Sequence, residues 1–150
     1  MAAVPWPVAD LLPHKAPMIL LDGVLDSDDH CLRAFVSVHA GTPFFRPTIG
    51  VPAHVGIEWM AQACGAFAGV RAKAAGTAVK LGFLLGTRRY TAVTPWFTEG
   101  ERATIIVTQT FEEDGMASFD CRIEINGAER ANARLVVFQP EDAATVLHPS

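Results

Sequence analysis

Three side chains in the middle of the chain have the types and spacing needed for acid-base chemistry. His54, Glu58 and Gln62 follow one another at intervals of four residues, which places them on one face of a helix. Their neighbours are mostly small and apolar, and a carboxylate in such surroundings either gains a partner or takes up a proton. A protonated carboxyl group can deliver its proton to a leaving hydroxyl. The spacing therefore predicts Glu58 as a catalytic acid, His54 as its base and Gln62 as a substrate-binding residue that can also hydrogen-bond the carboxyl group.

A structural interpretation competes with this catalytic one. Glu58 would then lie at a subunit interface, hydrogen-bonded by Gln62 and a backbone donor. His54 falls in the first turn of the predicted helix, where the positive helix end disfavours its protonation. His39, at the end of a predicted strand, is a second candidate for the base. His14 is expected to bond a backbone group in its proline-flanked turn.

The helix that carries these residues is predicted over positions 52–76. Pro52 suits its first turn, because a proline there loses no needed hydrogen bond, and Gly76 suits its end. Between them the residues are small on nearly every side. Such a helix is expected to be buried rather than amphipathic, and to let a neighbouring backbone come close.

The strands around this helix are predicted from alternation. Residues 31–38 alternate, and so do three segments in the last third of the chain, separated by Asp114-Gly115 and Asn126-Gly127. Those dipeptides favour tight hairpin turns, so the three segments form an antiparallel meander. In the first of them Phe111 is predicted to share a face with Ile105 and Val107. The run "KLGFLLG" (80–86) is predicted as a buried strand. The expected fold is one α+β domain over residues 1–150, with a sheet wrapped around one helix.

Charge is distributed unevenly along the chain. The net charge of −4 argues against general affinity for nucleic acid. No Asp or Glu occurs between positions 59 and 98, a stretch that contains five basic residues. A basic region in an acidic protein attracts an acidic partner. The predicted partner-binding residues are Arg71, Lys73, Arg88 and Arg89.

Other motifs are lacking. The three cysteines form no C-x-x-C pair, so neither a disulfide framework nor a zinc site is predicted. The N-terminus lacks the basic region of a signal peptide, and no apolar run reaches the length of a membrane span. A cytoplasmic location is expected.

Several motifs carry a resemblance to a known family. "LLPHKAPMILLDGVL" resembles the opening of β-hydroxyacyl-(acyl carrier protein) dehydratases, and "PAHVGIEWMAQACG" resembles the start of their central helix. The Glu-x-Met-Ala-Gln motif of that helix matches Glu58, Met60, Ala61 and Gln62. "PFF" and "TEGE" also fall in family-like places. "GFLLGTRRY" and the closing "VFQP" are similar to the subfamily associated with aryl-polyene-type and related fatty-acid pathways.

The resemblance implies the hotdog fold and a dimer made by joining two sheets edge to edge, with acyl tunnels at the interface. It implies that a His and a Glu from opposite subunits act on a 3-hydroxyacyl thioester, the His on the α-proton and the Glu on the leaving water. It implies no cofactor, and a substrate carried on acyl carrier protein, an acidic partner.

The sequence departs from the family in one loop. The resembled dehydratases carry their His in a Gly-His-Phe-Pro-Gly loop, where this chain has "RPTIGV" (46–51) with no His. Three interpretations follow. The protein is a dehydratase whose base is His54 or a partner's His, a non-catalytic subunit that pairs with an active dehydratase, or a thioesterase that uses the helix carboxylate.

Overall fold

The computed structural model describes residues 1–14, 18–80 and 82–139. Within them the chain forms the helices α1 (Val8–Leu11) and α2 (Val55–Ala74). The strands are β1 (Ala2–Ala3), β2 (Gly23–Ser27), β3 (Cys31–Ser37), β4 (Val51–Pro52), β5 (Phe83–Ala92), β6 (Trp96–Phe97), β7 (Arg102–Glu113), β8 (Met116–Ile125) and β9 (Ala128–Phe138). All named pairings are antiparallel. Helix α2 packs on β3, β7, β8 and β9, which confirms the predicted α+β arrangement.

Seven of the described strands form one sheet in the order β1-β2-β3-β7-β8-β9-β5, while β4 pairs with β6. The meander β7-β8-β9 turns at the two predicted dipeptides. Asp114 and Gly115 have φ angles of 51° and 83°, and Asn126 and Gly127 have 54° and 78°. Positive φ at both central residues matches the turn to the twist of the strands.

Alternation in the strands builds the core. The inward positions of β8, and those in and beside β3, are buried as predicted: Leu32, Ala34, Val36, Val38, Phe119, Cys121, Ile123 and Ile125. The prediction for Phe111 is wrong, because this side chain is 51% exposed. The register of β7 against β8 shifts between Gln109 and Phe111. Such a bulge breaks the alternation and turns the residues beyond it to the other face.

Helix α2 begins later than the sequence predicts. Its first residue is Val55, with His54 as the N-cap, and Pro52 instead pairs with Trp96 in the short β4-β6 ribbon. A proline is compatible with the edge of such a ribbon. The predicted end is confirmed, since Gly76 follows the helix with a φ of 71°.

Of the run predicted as a buried strand (80–86), residues 83–86 lie in β5, at one end of the sheet. Among the described strands, β9 alone pairs with β5. Leu84 and Leu85 are 40% and 55% exposed, so the expectation of burial is wrong for the single chain. Leu81 lies outside the described residues. No helix in the described part of the chain is long and apolar enough to cross a membrane.

Candidate active site

Contacts from the strands hold the start of α2 in place. The Ala53 N–H donates to the carbonyl of Pro95 at 2.8 Å, and the Tyr90 hydroxyl on β5 donates to the Ala53 carbonyl. Gly56 permits this approach, because a β-carbon there would lie 2.6 Å from the Tyr90 oxygen. These contacts fix the first turn of the helix and therefore the position of Glu58, two residues beyond Gly56.

A cavity of about 500 Å³ lies between α2 and the sheet. One wall consists of half-exposed small residues at helical spacing along α2, namely Ala61, Gly65, Ala68 and Ala72. The facing wall has an apolar part from β5, β8 and β9, with Leu84, Ala117, Phe119 and Val137, and a polar part from β7, with Gln109 and Glu112. The small residues of α2 and the apolar part of the facing wall suit an aliphatic chain.

Glu58 lines this cavity and is exposed. The sequence predicts apolar surroundings for its carboxyl group, whereas in the single chain the group meets solvent. Glu58 and the small wall residues lie on one side of α2, and this side is at least partly exposed to solvent.

The histidines of the described chain differ in their relation to this cavity. His54 is exposed and is not among the described residues that line it. The Nδ1 of His39 accepts a hydrogen bond from the Gly41 N–H at 3.0 Å. His14, in contrast, lines the cavity together with Glu58. Its buried Nδ1 has no hydrogen-bond partner among the described residues, so this atom does not make the backbone bond predicted for His14.

Gln62 lines the cavity and also holds the segment before β2. Its Oε1 accepts the Leu20 N–H at 2.8 Å, and its Nε2 donates to the Met18 carbonyl at 2.7 Å. The amide therefore bonds backbone groups in place of the predicted Glu58 carboxyl group. These two bonds leave one N–H of Nε2 unused, and the predicted contact of Gln62 with a substrate stays a prediction.

The predicted partner-binding cations lie in different places. Arg71 lines the cavity, with its Nη1 2.9 Å from Oε2 of Glu112. Lys73 is exposed in the last turn of α2. Arg88 and Arg89 line a second concavity, of about 420 Å³, on the outer face of the sheet. The four cations therefore do not form one cluster.

Cys64 also lines the cavity, and its chemistry is restricted by its surroundings. Burial raises the pKa of the Cys64 thiol well above its usual range, and the sulfur of Cys121 lies 3.9 Å away. A thiol that stays protonated is a poor nucleophile, so Cys64 acts as a small wall residue. Within the described ranges, no three His, Cys, Asp or Glu side chains form a group that could hold a metal ion.

The loop before α2 folds into a tight turn. The Arg46 N–H donates to the Gly50 carbonyl at 2.8 Å, and the Gly50 N–H donates to the Arg46 carbonyl at 3.0 Å. Gly50 has a φ of 129°, and a β-carbon there would lie 2.3 Å from the Phe97 carbonyl oxygen. Residues 46–51 contain no His, so this loop provides no histidine beside Glu58 at the cavity.

An antiparallel sheet packed on one long helix is the arrangement of the hotdog fold, and solved structures share it. A chain of the solved dehydratase heterocomplex ApeI:P from Xenorhabdus doucetiae is 32% identical, with a TM-score of 0.89 over 95% of this chain and 96% of that chain. A hypothetical thioesterase from Streptococcus pneumoniae is 11% identical, with a TM-score of 0.60 over 77% and 83% of the two chains. That likeness supports the fold alone.

The sequence establishes the family. The model of the ApeP-like family, described as ApeP dehydratase, matches residues 6–148, and the chain belongs to this family. The 3-hydroxyacyl-[acyl-carrier-protein] dehydratase FabZ of Allorhizobium ampelinum is 30% identical over 131 residues, 84% of this chain and 82% of that protein. FabZ of Proteus mirabilis is 32% identical over 136 residues, 86% and 88% of the two chains. The predicted class, a dehydratase or dehydratase-like hotdog protein, is confirmed.

Proposed function

We propose that this chain supplies the acid of a 3-hydroxyacyl-(acyl carrier protein) dehydratase, and that the acid is Glu58. The main support is the position of Glu58 on a cavity with apolar surface on both the helix side and the sheet side. An acyl chain lying along the small residues of α2 would bring its hydroxyl-bearing carbon towards this carboxyl group. The family motif around Glu58 supports the same role.

The reaction needs one base and one acid. The base removes a proton from carbon 2, and that electron pair forms the double bond between carbons 2 and 3. The hydroxyl group leaves carbon 3 as water after accepting a proton from Glu58. The products are a trans-2-enoyl thioester and water, and Glu58 regains a proton from solvent or from the base.

The base is a histidine of a second hotdog subunit in this proposal. The turn from Arg46 to Gly50 contains no His, His54 is not part of the described cavity lining, and Glu58 is exposed in the single chain. The similar dehydratase from Xenorhabdus doucetiae is a heterocomplex, which supports a two-subunit site. His54 and His14 are the alternative bases within this chain.

The substrate carrier docks near the cavity. Arg71 and Lys80 line the cavity, and Lys73 lies two residues beyond Arg71. Positive charge there suits acyl carrier protein, an acidic partner. The proposal includes a role in an aryl-polyene-type pathway. It also includes a cytoplasmic location, because the three cysteines are all free thiols.

Reconstitution tests the proposal. The chain is incubated alone and with the ApeI subunit of Xenorhabdus doucetiae, and a medium-chain 3-hydroxyacyl thioester on acyl carrier protein is followed by mass for loss of water. We expect little turnover alone and clear turnover by the pair. Glu58→Gln in this chain should slow the pair by about 10²–10⁴-fold, the usual contribution of a general acid. Equal turnover by wild type and Glu58→Gln would contradict the role of Glu58.

Two further variants identify the base. If His54→Ala and His14→Ala leave the rate of the pair within about twofold, the base belongs to the partner, whereas a loss of about 100-fold in either moves it into this chain. The exposure of Glu58 in the single chain also favours a second candidate, a non-catalytic subunit that shapes the tunnel. That function requires an ApeI subunit that reaches its full rate with the Glu58→Gln chain.

A further inference from the structure

We infer that Tyr90 is a positioning residue, which sets the place of Glu58 at the cavity by holding the first turn of α2. The inference rests on the proposed role of Glu58 as the acid. The Tyr90 hydroxyl on β5 donates to the Ala53 carbonyl, two residues before α2 begins. Tyr90 is not among the described residues that line the cavity, so it acts through Glu58 and not on the substrate.

Contacts from outside the helix hold the start of α2 in place of a cap. The N-cap residue is His54, whose side chain makes no capping hydrogen bond with any residue that the structure describes. A first turn is usually stabilised by a Ser, Thr, Asp or Asn at this position. Here the Ala53 N–H donates to the Pro95 carbonyl at 2.8 Å, and the Ala53 carbonyl accepts the Tyr90 hydroxyl. The backbone on which α2 starts is therefore fixed by neighbouring strands.

The hydroxyl oxygen of Tyr90, and not the ring alone, is fitted to this turn. The Ala53 carbonyl also accepts the Gly56 N–H at 3.0 Å, so both lone pairs of its oxygen are used. A β-carbon on Gly56 would lie 2.6 Å from the Tyr90 oxygen, which shows how closely the phenol approaches the helix. Burial raises the pKa of Tyr90 to about 12, so the phenol remains a hydrogen-bond donor at neutral pH.

The place of the Glu58 carboxyl group depends on the same turn. Side chains of a helix tilt towards its N-terminus, so the Glu58 side chain leans back over the turn that Tyr90 holds. Glu58 is exposed in the single chain, and the helix backbone is what sets its starting point. A shift of about 1 Å in a reacting group can cost about 10²-fold in rate. The Tyr90 hydrogen bond is therefore expected to affect catalysis without contact to the substrate.

A double-mutant cycle tests this inference in the reconstituted pair. Tyr90→Phe removes the hydroxyl and keeps the ring. Rates of dehydration are measured for wild type, Tyr90→Phe, Glu58→Gln and the variant with both changes, each paired with ApeI. Thr91→Val is the matched control, because the Thr91 hydroxyl on the same strand bonds the Arg89 carbonyl at 3.4 Å and not α2. Circular dichroism establishes that each variant keeps the fold.

We expect Tyr90→Phe to lower kcat by about tenfold and to leave KM within about twofold, because the acid is displaced while the substrate still binds. In the Glu58→Gln chain the same change should cost less than about twofold, because no acid is left to position. Thr91→Val should match wild type.

Hydrogen exchange on the chain without substrate tests the structural step directly. The amides of Gly56 and Ile57 donate to the carbonyls of Ala53 and His54. Both should exchange about three- to tenfold faster in Tyr90→Phe than in wild type, as expected for the loss of one hydrogen bond that holds the turn.

Three results overturn the inference. The first is a wild-type kcat for Tyr90→Phe in a pair that Glu58→Gln slows, which leaves the proposed function standing. The second is an equal loss from Tyr90→Phe with and without the Glu58 carboxyl group, which would indicate a general loosening of the fold. The third is unchanged exchange at Gly56 and Ile57. If Glu58→Gln itself leaves the rate unchanged, the proposed function fails, and the role of Tyr90 in catalysis fails with it.

Discussion

Gly69 of α2 packs directly on the backbone of Leu11 in α1, so that a β-carbon on Gly69 would lie 2.0 Å from the Leu11 carbonyl oxygen. This contact confirms that the small residues of α2 let another backbone approach. Leu11 is fully buried and Leu12 is 5% exposed. The segment that leads to His14 at the cavity is therefore anchored on the helix that carries Glu58.

Gly69→Ala is expected to destabilise the protein by about 1–3 kcal/mol, the usual effect of overpacking, despite the better helix propensity of alanine. Urea unfolding measures the change. Gly65→Ala is the matched control, since its new β-carbon would meet only the end of the Leu12 side chain at 3.2 Å. Equal stability of the two variants would contradict the close packing of α1 on Gly69.

Gln62→Leu is expected to lower the free energy of unfolding by about 1–3 kcal/mol, because it leaves the Leu20 N–H and the Met18 carbonyl without their partner. Hydrogen exchange should show faster exchange at the Leu20 amide. Gln109→Leu removes only an exposed hydrogen bond to Glu112 and should cost less than about 0.5 kcal/mol. Unchanged protection of Leu20 in Gln62→Leu would show that this amide is not held by Gln62.

The single tyrosine of the chain provides a test at alkaline pH. Burial raises the pKa of Tyr90 to about 12, above the value of about 10 for an unfolded chain. The folded state keeps the phenol proton that the unfolded state releases, so stability falls as the pH rises from about 10 towards about 12. Absorbance titration should give the higher midpoint in the native protein and the lower one in urea. Coincident midpoints would exclude the buried Tyr90 contact at the start of α2.

Acid pH should weaken the turn between β6 and β7. Burial acts to raise the pKa of Glu101, but hydrogen bonds from Arg130 and Thr98 outweigh it and lower the pKa overall. A carboxyl group with a lowered folded-state pKa stabilises the fold above its unfolded pKa, and loses this effect as the pH falls through the folded value. As the pH falls below about 4.5, the free energy of unfolding of Glu101→Gln should therefore decrease less than that of wild type. Glu99→Gln changes an exposed neighbouring residue and should lose as much stability at acid pH as wild type. If all three proteins lose stability equally at acid pH, the Glu101 network does not have this effect.

The meander was predictable from the sequence because its determinants are local. Alternation decides which residues of β8 face inward, and Asp114-Gly115 and Asn126-Gly127 decide where the chain turns. The position of β5 was not predictable in this way. It precedes β7 in the chain but lies beyond β9 in the sheet, at an edge that local sequence does not reveal. Its apolar residues resemble those of a buried strand, although the strand lies at the end of the sheet.

The candidate site divides along the same line. Glu58 was selected as a candidate from its chemical type and its motif, which are properties of a few adjacent residues. The exposure of Glu58 could not be predicted, because a helix made of small residues on all sides gives no indication of which side faces the sheet. His14 lies 44 positions before Glu58, and only the fold brings both to the lining of one cavity.

The most direct test of Glu58 as the acid compares two leaving groups in the reconstituted pair. A hydroxyl group needs a proton to leave, whereas the chloride of a 3-chloroacyl thioester does not. If Glu58 donates the proton, Glu58→Gln should slow dehydration of the 3-hydroxyacyl substrate by about 10²–10⁴-fold but slow loss of chloride by about tenfold or less. The same large defect with both substrates, or no defect with either, would contradict proton donation by Glu58.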